Sequence, residues 1–192
     1  MKKIAVTGGI ATGKSAVAEY LKKKNKFVLC ADEIYAGLLV SNKKLCDKIA
    51  GRFGSEMFTN GILNRSALGK IVFNDKKKLQ ILNKISHPFI KKKISELLKE
   101  RKNESTVFIT IPLLFESKME NEYDAVITVY CNKNQQIARL VKRNGYSIAD
   151  AKRRINSQLP INEKKAKSDF IIDNSHTLKN THKQIDIIIE KI

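Results

Sequence analysis

Residues 8 to 15 read Gly-Gly-Ile-Ala-Thr-Gly-Lys-Ser, a glycine and four unrestricted residues followed by Gly-Lys-Ser. The run starts where an apolar segment, Ile4-Ala5-Val6, stops, and it ends where a helical pattern over 15–21 begins. Such a motif works only as a loop between a buried strand and a helix N-terminus, so it dictates topology as well as chemistry. Gly8 and Gly13 let the backbone turn back and aim its N–H groups inward, forming a nest for polyphosphate oxygens. The helix that follows adds its positive dipole end to the same spot. Lys14 supplies a point charge for the β- and γ-phosphates, and the Ser15 hydroxyl is the expected Mg²⁺ ligand. Gly9, Ala11, Thr12, Gly13, Lys14, Ser15 and Ala16 are therefore the expected nucleotide contacts.

Strand-like runs alternate with helical patterns along the whole chain, the signature of a parallel sheet covered on both faces. Strands are expected at 3–7, 26–30, 106–111, 125–130 and 170–172, all β-branched and apolar enough to be buried on both sides. A long helical stretch, 32–102, separates the second strand from the third. It exceeds what a crossover needs and should form a lobe of its own. Within it, Asn60-Gly61 marks a turn, and His87-Pro88 is expected to start a helix. The charged stretch 133–167, divided by Gly145 and Pro160, reads as a lid. The last segment, 178–192, is amphipathic, with Ile185, Ile188, Ile189 and Ile192 on one stripe. The organisation expected is one domain over 1–192, its core at 1–31, 103–132 and 168–192.

The 192 residues suffice for a buried core, and a hydrophobic fraction of 42% is ordinary for a globular protein. The opening Met-Lys-Lys-Ile-Ala-Val imitates a signal peptide, but its apolar run is cut by Thr7-Gly8-Gly9. Cys30, Cys46 and Cys131 form neither a disulfide framework nor a metal pattern. A cytoplasmic protein without a membrane partner is expected. The net charge of +18 invites a nucleic-acid reading. Its lysines, however, fall in short clusters at 22–24, 76–78, 91–93 and 164–165, where solvated helix faces explain them and no aromatics interleave to stack bases. No specific nucleic-acid partner is expected.

Ligands of open parallel sheets bind beyond the carboxyl ends of the strands, so the chemistry should lie just past each one. Asp32 follows the second strand. It is either a helix N-cap or a carboxylate that takes a substrate hydroxyl's proton, orients that hydroxyl, or holds Mg²⁺ through water. Its expected sheet edge, shared with Lys14, favours the chemical role. The third strand ends in Thr110, where many phosphate-loop enzymes carry a Mg²⁺-binding aspartate. Pro112 to Phe115 beyond it is an apolar patch that either packs or holds an apolar part of a substrate. Arg139 and Arg143 share a helix face and, in a lid, would neutralise charge on the transferring group. Asn174, after the fifth strand, either reads an adenine edge or stabilises its own turn.

Taken together, the motifs resemble the dephospho-CoA kinase family over nearly the whole chain. The segments that carry the resemblance are the loop at 7–15, Ala31-Asp32, Phe53-Gly54, Asn-Gly-Ile-Leu-Asn-Arg at 60–65, Leu-Gly-Lys-Ile-Val-Phe at 68–73 and His87-Pro88. They continue with Ile-Pro-Leu-Leu-Phe-Glu at 111–116, Gln-Ile-Ala-Arg at 136–139 with Arg143, Arg-Ile-Asn-Ser-Gln at 154–158, and Ile-Asp-Asn at 172–174. The resemblance implies a nucleotide-kinase-like three-layer fold with a helical CoA-binding lobe and a lid. It implies ATP-dependent phosphorylation of the ribose 3′-hydroxyl of dephospho-CoA. Asp32 would be the catalytic carboxylate, supported by Lys14, Arg139 and Arg143. Arg65, His87 and Pro112, Leu113, Leu114, Phe115 and Glu116 would surround the acceptor. The chain departs from the family pattern at Cys30, where an aspartate is usual, at Ala36, where an arginine is usual, and at Ala11, a common glycine. Ala11 is harmless if its φ is negative. The competing readings are another small-molecule or nucleoside-monophosphate kinase of the same fold, and a regulatory NTP-binding protein that binds RNA.

Overall fold

In a computed structural model, which describes residues 1–73 and 75–192, the chain forms two compact units. One comprises Met1–Leu29 and Asn103–Ile192, the other Cys30–Lys102.

The first unit is built on a parallel five-stranded sheet. Its strands are β1 (Lys2–Gly8), β2 (Phe27–Cys30), β5 (Thr106–Thr110), β6 (Ala125–Tyr130) and β7 (Phe170–Asp173), in the order β2-β5-β1-β6-β7. The five expected strands are all present, their ends within two residues of expectation. β1 is central. Ile4 lies opposite Phe108 of β5 and Ala125 of β6, and Val6 opposite Thr110 and Ile127. A strand flanked on both sides must be apolar on both faces, which is why residues 4–8 are buried without alternation. Ile4, Val6, Phe108, Ile127, Val129 and Ile172 pack with Val17 and Leu21 of α1 (Lys14–Lys23). Ile185 and Ile188 of α9 (Leu178–Lys191) close the same core. Each such side chain contributes roughly 1.5–3 kcal/mol relative to exposure. Helices α6 (Lys133–Asn144), α7 (Ile148–Asn156) and α8 (Ile161–Ala166) fill the stretch read as a lid. Asn132 and Ser147 cap the first two by accepting the N–H of Gln135 and Asp150. Gly145, at φ 66°, ends α6 in a left-handed turn that a side chain would resist.

The second unit is helical: α2 (Ala31–Ser41), α3 (Lys43–Phe53), α4 (Arg65–Phe73) and α5 (Lys76–Glu100), with a hairpin of β3 (Phe58–Thr59) and β4 (Ile62–Leu63). It has its own core of Leu38, Leu39, Leu45, Ile49, Leu63, Leu68, Val72 and Leu82. The segment Asn-Gly-Ile-Leu-Asn-Arg acquires a physical meaning here. Asn60 and Gly61 both have positive φ, 50° and 76°, the geometry of a primed hairpin turn. Ile62-Leu63 is the returning strand, and Asn64 Oδ1 accepts the Ala67 N–H to cap α4.

One expectation fails, and one of the two readings of Asp32 is removed. His87-Pro88 does not begin a helix, because Pro88 lies inside the 25-residue α5. Its ring removes one N–H from the ladder, but apolar burial along both halves carries the helix through. Nor is Asp32 an N-cap. β2 runs directly into α2 with Cys30 at the cap position, which puts Asp32 in the first turn, where its charge favours the helix dipole.

Candidate active site

The loop after β1 is drawn tight by the chain's own polar groups. Gly13 sits at the N-cap of α1 with φ 104°, which only glycine adopts freely. A Cβ there would lie 2.0 Å from Asn174 Nδ2, so closeness as well as conformation requires the glycine. The same holds at Gly8, φ 145°, where a Cβ would lie 2.2 Å from the Val129 carbonyl oxygen. Thr12 is fully buried, and its Oγ1 donates to the Gly9 carbonyl at 3.0 Å. Lys14 Nζ folds back onto the carbonyls of Gly8 (3.1 Å) and Gly9 (2.8 Å). An ammonium held on the inner rim of the loop stands ready for phosphate oxygens. Ser15 is exposed and Ala16 half-buried in the first turn of α1.

Ala11 overturns one expectation. Its φ is +58°, so the departure from glycine at this position is not free. A left-handed non-glycine residue costs about 1–2 kcal/mol. The surroundings hold it there: the Ala11 carbonyl accepts from Arg139 Nη1 at 3.2 Å and, more weakly, from Cys131 Sγ at 3.8 Å. Burial pushes the Cys131 thiol up, and Asp173 adds to the shift while Arg139 and Lys14 pull against it. Cys131 therefore remains a donor thiol rather than a nucleophile.

Arg139 and Arg143, expected to act together, are placed differently. Arg139 spends its guanidinium on three backbone carbonyls, those of Ala11, Thr12 and Asn174, at 3.1–3.2 Å. Arg143 is exposed one turn later, its Nε donating to Asn144 Oδ1 at 2.9 Å. Asn174 is buried, with Nδ2 donating to the Thr12 carbonyl (2.8 Å) and Oδ1 accepting from Thr181 Oγ1 (2.9 Å). Its carboxamide thus anchors the loop to α9.

Two glutamines that sequence reasoning did not single out complete the loop. Gln136 Nε2 donates to the Ile10 carbonyl at 2.7 Å, and a Cβ at Gly9 would lie 2.7 Å from that same nitrogen. Gln158 Oε1 accepts the Ile10 N–H at 2.8 Å. Amide side chains leave no periodic signal, although both glutamines fall in segments that carried the resemblance.

Beyond β5, Thr110 stands at the strand end and is buried. Of the apolar run, Leu114 and Phe115 are core residues, while Pro112 and Leu113 are half-buried. Glu116 Oε1 accepts both the Leu159 N–H (2.9 Å) and Lys164 Nζ (2.7 Å). Lys164 was expected on a solvated face, yet its side chain is 0% exposed. Such a cation is tolerable only because Glu116 pairs with it and the Pro112 carbonyl accepts a further, longer bond at 3.4 Å.

In the helical unit, Asp32 is exposed in the first turn of α2, Arg65 is the exposed first residue of α4, and His87 is half-buried in α5. Tyr35 links their surroundings. Burial raises its phenol pKa, against a lowering by the neighbouring Ser86 hydroxyl and by the Arg65 charge. The Tyr35 and Ser86 hydroxyls are buried, and neither has a hydrogen-bond partner among the described residues.

Among the described residues no group of three or more His, Cys, Asp or Glu side chains could hold a metal. No described helix is long and apolar enough to cross a membrane.

The loop geometry is that of a nucleotide site, and comparison with known proteins is more specific. The family profile for dephospho-CoA kinase matches residues 2–180. A dephospho-CoA kinase of Carboxydothermus hydrogenoformans is 38% identical over 191 residues, which is 98% of this chain and 93% of that protein. Among solved structures, TT1252 from Thermus thermophilus superposes with a TM-score of 0.84 at 27% identity, covering 100% of this chain and 97% of the other. Dephospho-CoA kinase from Campylobacter jejuni gives 0.69 at 31% identity, with 100% and 97% covered. With a family match from the first strand to the last helix, the chain belongs to the dephospho-CoA kinase family.

Proposed function

We propose that the chain transfers the γ-phosphate of ATP to the ribose 3′-hydroxyl of dephospho-CoA, releasing ADP and coenzyme A, with Asp32 and Lys14 at the centre of the reaction. The observation that carries this reading is the tightly formed loop at 8–15, with Lys14 on its inner rim, in a chain of this family.

The 3′-oxygen forms a bond to the γ-phosphorus while the bond from phosphorus to the β,γ-bridging oxygen breaks. Little covalent chemistry falls to the protein, so positioning and charge stabilisation dominate. The backbone N–H groups at the start of α1 hold the inner phosphates, and Lys14 moves from the Gly8 and Gly9 carbonyls to the outer ones. Asp32 orients the hydroxyl and takes its proton late in the transfer, then passes it to solvent. Arg143 meets the charge spreading over the transferring group, and Arg139 keeps the loop in shape for it.

The exposed Ser15 hydroxyl suits a Mg²⁺ ion that keeps several waters and relies otherwise on substrate phosphates. Held through Ser15, Mg²⁺ would supply neutralisation of phosphate charge. In this reading Arg65, His87, Pro112, Leu113 and Glu116 contribute to recognition of the acceptor, and the protein works in the cytoplasm.

A coupled assay for ADP release should show turnover with dephospho-CoA and little with AMP, CMP or adenosine. Phosphorus NMR should place the new phosphate on the ribose 3′ position. Turnover of a nucleoside monophosphate in preference to dephospho-CoA would overturn the proposal.

A further inference from the structure

The peptide groups of Ile10 are gripped from both sides, the carbonyl by Gln136 and the N–H by Gln158. The two grips differ in kind. Gln136 is buried on α6, and its amide supports the loop from behind. Gln158 lies in the short link between α7 and α8, and it occupies a backbone donor of the phosphate loop with an oxygen acceptor, as a phosphate oxygen would. Its placement is engineered from further away. Glu116 Oε1 holds the N–H of the next residue, Leu159, and is itself held by the fully buried Lys164. A buried ion pair is a poor way to gain stability and a good way to impose one geometry. Here the geometry imposed is that of the 158–160 link.

The amides at the start of α1 serve the inner phosphates. Ile10 lies on the opposite, leading limb of the loop. We propose that Gln158 is a positioning residue for phosphoryl transfer. Carried by the Glu116–Lys164 pair, it fixes the γ-phosphate limb of the loop through Ile10 and lies next to the γ-phosphate when ATP is bound. The inference rests on the reading of residues 8–15 as the nucleotide site.

Charge at position 158 tests this, because ATP and ADP differ only at the γ end. Calorimetric binding of each nucleotide with Mg²⁺ is compared for wild type, Gln158→Glu and Gln158→Lys, with melting temperatures recorded. A carboxylate can still accept the Ile10 N–H, so Gln158→Glu keeps the loop. It should weaken ATP at least ~10-fold more than ADP, the scale of one close like-charge repulsion in a partly solvated site. Gln158→Lys should shift the ratio of the two affinities the other way. Gln158→Ala should lower kcat about 10-fold with the KM for dephospho-CoA unchanged. Equal weakening of ATP and ADP by both charged variants would overturn the inference, as would a wild-type kcat in Gln158→Ala. The ATP-to-ADP ratio requires no acceptor. Charged variants that shift the ratio as expected, with a wild type that fails to phosphorylate dephospho-CoA, would therefore sink the proposed function and leave Gln158 in place.

Discussion

The phosphate loop and the surroundings of Tyr35 in the helical unit treat polar groups in opposite ways. Around the phosphate loop nearly every carbonyl that turns inward is matched: Gly8 and Gly9 by Lys14, Ile10 by Gln136, Ala11 and Thr12 by Arg139, and Thr12 again by Asn174. In the helical unit the hydroxyls of Tyr35 and Ser86 are buried with no hydrogen bond among the described residues, near the charge of Arg65. A loop that must present N–H groups to any nucleoside triphosphate benefits from being rigid beforehand. On the proposed function, the rigid loop serves phosphate chemistry and the helical unit, with donors left over for its substrate, serves substrate choice.

Asp32→Asn puts the sharpest strain on this division. Asn fits the same space in the first turn of α2, so thermal unfolding and ATP affinity should hardly change. The expected loss is in kcat, ~10²–10⁴-fold, the usual contribution of a positioned acid or base. Full turnover of Asp32→Asn would remove the helical unit from the chemistry and leave it only recognition.

Lys14→Ala should cost ~10²–10³-fold in turnover, the scale seen when one preorganised donor to developing charge is removed. Because Lys14 also ties two loop carbonyls, its melting temperature should fall slightly as well. Normal kcat would show that the loop does not act on phosphate.

The arginines of α6 divide the same question within one helix. Arg139→Ala leaves three carbonyls without their charged donor and should destabilise by about 2–3 kcal/mol, read by denaturant unfolding. Arg143→Ala should leave stability unchanged and lower kcat more than it raises the KM for the acceptor. If the two variants behave alike, the contrast drawn from their positions is wrong.

The smallest effect is expected at Ala11. Replacing it by glycine relieves the left-handed strain but adds freedom to the unfolded chain. A net gain of about 0.5–1 kcal/mol should raise Tm by about 2 °C. A drop in Tm would mean that the methyl group has a packing role.

Much of this arrangement was legible in the chain. Strand positions followed from short β-branched runs bounded by turn residues, and the loop from a motif with both flanks intact. What was not legible depends on partners distant in sequence. Pro88 looked like a helix start because the local preference is real, and only apolar packing on both halves of α5 overrides it. The cap alternative for Asp32 stayed open because nothing in the sequence says that β2 passes into α2 without a connecting residue. Lys164 looked solvated because lysine usually is, and its partner Glu116 lies far upstream. Gln136 and Gln158 stood in segments that carried the resemblance, but their roles could not be read, since one carboxamide at one spacing carries no pattern.

The bond from Asn174 to Thr12 joins residues 162 positions apart, and that from Arg139 to Thr12 joins residues 127 apart. The first functional segment to leave the ribosome is thus among the last to acquire its shape. While the chain is being made, residues 8–15 lack the groups that hold their carbonyls, and their neighbouring strand β6 arrives only after more than half of synthesis. The loop gains its full set of internal hydrogen bonds only once β7 has been made and Asn174 reaches it.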